Sequence, residues 1–113
     1  MTVYGQTPHG VRVDVAFQGE LQGRLNGTME GIDYSTVRAD GVTEIDVRGK
    51  IVTTDQALIA VEMRGTMIEG QITDTQVKFA ANASQYTWLM DKIIVGKGWA
   101  TTEELGVHYY LIE

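Results

Sequence analysis

The chain has no cysteine, one proline and only two histidines among its 113 residues. Without cysteine there is no disulfide frame and no thiolate chemistry. His9 and His108 stand far apart with no partner at ligand spacing, so no metal site is expected. Lys and Arg number nine against fifteen Asp and Glu, a net charge of −6, and the basic residues are scattered. That excludes nucleic acid as the expected partner, because phosphate binding needs clustered cations. No apolar run approaches the ~18 residues that span a bilayer, so no membrane partner is expected. The start, Met1-Thr2-Val3-Tyr4-Gly5, lacks the basic-then-apolar order of a signal peptide, and the expected compartment is the cytoplasm. Gly96-Lys97-Gly98 lacks the lysine-serine ending of a phosphate loop, and no Gly-x-Ser-x-Gly is present. No cofactor is called for.

What the chain does have is alternation. Its length suits one domain with a single core, and thirteen glycines suit strands joined by tight turns. Val11, Val13, Val15 and Phe17 alternate with Arg12, Asp14, Ala16 and Gln18, a half-buried strand reaching about Leu21. Ile32 to Arg38 makes the next, with Asp33, Ser35 and Val37 on one face and Ile32, Tyr34, Thr36 and Arg38 on the other. Ala39-Asp40-Gly41 turns the chain back, with Gly41 left-handed. A loop at Thr54-Asp55-Gln56 sets Thr53 opposite Ala57, Ile51 opposite Ile59 and Val47 opposite Met63. The same register pairs Asp46 with Arg64 and Arg48 with Glu62, while a slip of one residue would oppose apolar to polar throughout. A further strand is predicted from about Val77 to Leu89. It turns at Met90-Asp91 into Lys92 to Thr101, which pairs Trp88 with Ile93 and Tyr86 with Val95. Thr101 to Gly106 reads as a loop, and Val107 to Ile112 as the last strand.

Seven or eight sequential antiparallel strands with no sustained 3.6-residue period predict an all-β fold without a long helix. Glycine-bent hairpins favour a closed barrel, because closure removes exposed edges. The last three strands carry apolar or aromatic residues on both faces: Tyr86, Trp88, Ile93, Val95 and Trp99 against Val77, Phe79, Leu89, Ile94, Tyr110 and Ile112. A small barrel has one inside, so a second subunit is expected over the other side, giving a homo-oligomer.

The densest mixture of reactive side chains lies in Gly31-Ile32-Asp33-Tyr34-Ser35-Thr36-Val37-Arg38-Ala39-Asp40-Gly41. Partial burial of Asp33 would raise its pKa and suit it to proton transfer, with Tyr34 and Arg38 as donors to a ligand oxygen. The structural alternative is that Asp33 accepts backbone N–H bonds and Arg38 pairs with a surface carboxylate. Asp40 reads as a turn former. Asn82, Tyr86 and Trp88, on one face of the late strand, would form one wall of a ligand pocket or pack a subunit interface. Asp46, Arg48, Glu62 and Arg64 form a cross-strand charge ladder, read as a solvated outer face.

The segments Gly31–Gly41 and Asn82-Ala83-Ser84-Gln85-Tyr86-Thr87-Trp88-Leu89 resemble those of the DUF3237 family. The likeness runs from about Val11 to Ile112, and the chain departs from it at Met90-Asp91, where an Asn-Gly-like turn is usual. The resemblance implies a closed antiparallel barrel akin to allene oxide cyclase and loosely to lipocalins, and it implies no particular activity. The expectation is a barrel that binds a small, largely apolar organic molecule and isomerises or cyclises it by acid/base chemistry. A non-catalytic carrier, or an assembly module with a filled barrel, is the alternative.

Overall fold

The computed structural model describes residues 1–100 and 105–112, without side chains at positions 73, 74, 100, 105 and 110–112. Eight strands run β1 (Thr2–Thr7), β2 (Gly10–Leu21), β3 (Gly27–Val37), β4 (Thr43–Thr53), β5 (Leu58–Ile68), β6 (Gln71–Ala81), β7 (Ile93–Ala100) and β8 (Leu105–Ile112). Each pairs antiparallel with the next in one sheet ordered as the sequence. The β4–β5 register is the one alternation requires: Ile51 faces Ile59, Val47 faces Met63, Asp46 faces Arg64 and Arg48 faces Glu62. Its turn closes with the Thr53 N–H on the Ala57 carbonyl at 2.9 Å. Gly41 has φ +86°, as its Asp-Gly turn demands. Glu69 and Gly70, both at positive φ, make the tight β5–β6 turn.

One face of the sheet is the core. Ile45, Val47, Ile51, Ile59, Val61, Met63, Ile72, Val77, Phe79 and Ile94 are buried, and Ile51 is wholly excluded from solvent. Phe17, Leu21, Met29, Val107 and Tyr109 pack against them from both flanks, so the sheet curls around this face. Glycines permit the curl. Gly31 and Gly49 are cross-strand partners, where β3 and β4 approach too closely for a Cβ. A register shift between Arg64 and Met67 brackets Gly65, and there the β5–β6 ladder bulges. Among the described residues no ladder joins β1 to β8.

The structure differs from the sequence-based expectation in its strand bounds: β3 begins at Gly27 rather than Ile32, and β6 at Gln71 rather than Val77. The chain begins with an extra strand, β1, almost wholly exposed and broken by a bulge at Gly5, φ +83°. Nor does the late strand reach Leu89. β6 stops at Ala81, and Ser84–Met90 forms a 3₁₀ helix. β7 instead pairs with the body of β6, Val77 opposite Ile94 and Gln76 opposite Val95, so Trp88–Ile93 and Tyr86–Val95 are not pairs. The reason lies in spacing. A period of three puts Tyr86 and Leu89 on one side, and Leu89 is the buried residue of the segment. The loop expected at Thr101 to Gly106 lies outside the described residues over 101–104. No helix among the described residues is long and apolar enough to cross a membrane.

Candidate functional site

β3 places Asp33 on the core face, opposite Val15 of β2 and Val47 of β4. The β3–β4 ladder runs through that pair and resumes at Thr36–Glu44. In the gap, the Asp46 backbone N–H donates to Asp33 Oδ1 at 3.3 Å. Burial holds the Asp33 carboxyl above the ordinary carboxylate range, against the hydrogen bonds from the Ser35 hydroxyl and the Asp46 amide, while the Asp46 charge adds to the rise. Ser35 is itself buried. Two residues further along each strand the sides repeat, and every other described Lys, Arg, Asp or Glu within a strand falls on the opposite face or in register with it. Asp33 is therefore the one such group that the described strands aim into the apolar face. Tyr109 shares that face, set edge-on to Phe79 at 6.3 Å, with its phenol pushed up by burial.

The other expected site residues lie elsewhere. Tyr34 points to the outer face, where the Arg12 guanidinium lies 5.0 Å from its ring centre. Arg38 leaves β3 for the turn and pairs with Asp40 at 2.6 Å, both exposed. Asp40 also accepts the Val42 N–H at 3.1 Å, the turn-forming role its Asp-Gly context suggested. The structure thus does not bring Tyr34 or Arg38 to Asp33, because adjacent strand residues face opposite ways. Asn82 is exposed in the link between β6 and the 3₁₀ helix. Tyr86 and Trp88 do not share a strand face with it. They pack on the core from the helix, across one end of the curled sheet.

Two side-chain contacts fasten that helix. Tyr86 Oη donates to Asp55 Oδ1 at 2.7 Å and Gln85 Nε2 to Asp55 Oδ2 at 3.2 Å, tying it to the β4–β5 turn. Those bonds and the Thr53 hydroxyl hold the Asp55 carboxyl below the usual range. Arg24, from the β2–β3 loop, lies 4.3 Å over the Trp88 ring. The charge ladder sits on the outer face, with Arg48, Glu62 and Arg64 exposed. Sequence reasoning passed over Ser35 and Arg12. The first was legible as the residue two along from Asp33, the second only once Tyr34 was known to face outward.

An all-antiparallel sheet curled about one apolar face defines a β-barrel-like protein. Three solved structures share it. They are a β-barrel-like protein of Acinetobacter baumannii (21% identity, TM-score 0.89, 99% of this chain and 85% of that one), a protein of unknown function from Clostridium acetobutylicum (25%, 0.89, 99% and 88%), and a conserved protein of unknown function from Rhodopseudomonas palustris (21%, 0.87, 97% and 86%). No curated protein matches the chain. The chain belongs to DUF3237, a family described as proteins of unknown function, whose profile matches residues 2–75.

Proposed function

We propose that the apolar face binds a small, uncharged, largely apolar organic molecule, and that Asp33 exchanges a proton with it. The supporting observation is the segregation of charge. A single carboxyl, desolvated and kept from easy ionisation, stands among Val15, Val47 and Ser35, while the described strand cations face away. A carboxyl whose pKa is raised by burial serves as general acid or base for moving a double bond beside a carbonyl. With no guanidinium or ammonium among the described strand residues on that face, an anionic ligand would be unpaired there. The test uses a neutral β,γ-unsaturated ketone, whose conjugated isomer absorbs more strongly in the ultraviolet. Asp33→Asn should retain ketone binding and lose isomerisation. Undiminished turnover, or equal loss of binding and turnover, would refute proton transfer. Binding without turnover in the unaltered protein would make the chain a carrier.

A second reading, assembly with another copy of the chain, is favoured by the exposed apolar residues of the outer face. Ile68 and Trp99 flank Gln71 across β5, β6 and β7, and Ile93 lies further along β7 at 65% exposure. Sedimentation should give a mass above that of one chain, and Ile93→Asp with Trp99→Ser should return the monomer. A monomeric unaltered protein would dismiss this reading.

A further inference from the structure

The cations that the apolar face excludes gather behind it. On the outer side of β2–β5 a cleft of about 730 Å³ is lined by Arg12, Tyr34, Thr36, Asp46, Arg48 and Arg64, among others. Three of the chain's five arginines meet there. Each turns its Nε edge to a carboxylate: Arg12 Nε donates to Asp14 Oδ1 at 2.6 Å, and Arg64 Nε and Arg48 Nε lie 3.5 and 3.9 Å from Asp46 Oδ1. A guanidinium turned to a carboxylate on that edge keeps its terminal N–H groups for another acceptor.

Arg12 is set in place before any ligand arrives. Its guanidinium lies 5.0 Å from the Tyr34 ring and 5.7 Å from the Tyr4 ring, and Tyr4 Oη donates to the other oxygen of Asp14 at 2.7 Å. Asp46 Oδ1 is screened from solvent and takes no hydrogen bond, so Arg48 and Arg64 are drawn to it through space without being locked. Glu44 and Asp46 line the cleft beside the three arginines, and Asp14 and Glu62 flank them, so the cleft carries no surplus of positive charge. Without such a surplus, a single negative charge is taken up more readily than two.

From this geometry we infer that the cleft binds a planar aromatic monocarboxylate, its carboxylate taken by Arg48 and Arg64 and its ring lying along Tyr34 and Arg12. Planar guanidiniums suit a carboxylate two-pronged, and stack on rings as an ammonium does not. This site opens on the other side of the sheet from the Asp33 carboxyl; their one link is the hydrogen bond from the Asp46 N–H to Asp33 Oδ1, which an asparagine oxygen can still accept.

Benzoate titrated into the full chain and followed by amide NMR tests the assignment. Saturable shifts should centre on Thr36, Glu44, Asp46 and Arg64, and should weaken with added salt. Arg48→Gln with Arg64→Gln should reduce affinity about ten-fold or more, the scale of losing charge-assisted hydrogen bonds. Both arginines are more than half exposed, so the fold should survive, as the amide spectrum will show. Asp33→Asn should leave benzoate binding unchanged, which separates this site from the proposed activity. Unsaturable or scattered shifts, or unchanged affinity in the double variant, would overturn the site. Phenyl phosphate binding more tightly than benzoate would overturn the monocarboxylate assignment.

Discussion

Gly31→Ala should cost the fold more than its one added methyl suggests. The new Cβ would lie 2.7 Å from the Gly49 Cα and closer still to the Arg48 carbonyl oxygen, both backbone atoms with no rotamer to escape into. Ordinary van der Waals contact for these atoms is about 3.5 Å, so β3 and β4 must part by roughly an ångström. The pairs flanking this point are Glu30–Lys50 and Ile32–Arg48, whose ladder bonds would stretch first. Overpacking of this kind costs about 1–3 kcal/mol, and each weakened bond adds about 0.5–1.5 kcal/mol. We expect a loss of about 3 kcal/mol in urea unfolding, and a melting point lower by roughly 10 °C for a chain of this size. Gly19→Ala is the control. It lies on β2 next door with nothing within 4 Å of the added carbon, and should fall within about 0.5 kcal/mol of the unaltered protein. Equal stability for Gly31→Ala and Gly19→Ala would refute the close approach of β3 and β4 on which the placement of Asp33 rests.

Asp33 is harder to ionise in the folded chain than in the unfolded one. The folded state therefore holds more protons in the window above the ordinary carboxylate range, and stability from this group falls as pH rises through it. Asp33→Asn should be more stable than the unaltered protein at neutral pH, with the difference closing in acid; a constant difference across pH would contradict the burial. Asp55 has the opposite sign. Its folded carboxyl is held low by Thr53, Tyr86 and Gln85, so its contribution is present at neutral pH and lost as pH falls. Tyr86→Phe should leave the sheet folded but raise amide exchange across Ser84–Met90, and unchanged exchange there would show that the phenol does not fasten the helix. Ile51→Ala, at a site with no solvent exposure, should cost about 2–5 kcal/mol in urea unfolding.

Alternation made the β4–β5 hairpin readable to the residue, because one register satisfied the apolar face and the ion pairs together. The same rule also placed Asp33 and Tyr34 on opposite sides, although both were assigned to one site. Tyr86, Trp88 and Leu89 misled for another reason. Apolar residues two apart look like a strand until the three-residue spacing from Tyr86 to Leu89 is weighed. The first strand went unread because its residues are exposed and a glycine breaks their alternation, so burial left no imprint on them. Arg12, Arg48 and Arg64 come from three strands, and only the folded sheet reveals that they share a cleft.

An apolar face with one carboxyl, its pKa raised by burial, constrains the kinetics of any reaction run against it. Tyr109, the phenol on that face, ionises only in strong alkali because burial disfavours its anion. Turnover should then follow a single ionisation, rising or falling once with pH according to whether Asp33 gives or takes the first proton. A bell-shaped dependence would require a second proton carrier, brought by the ligand itself or by water.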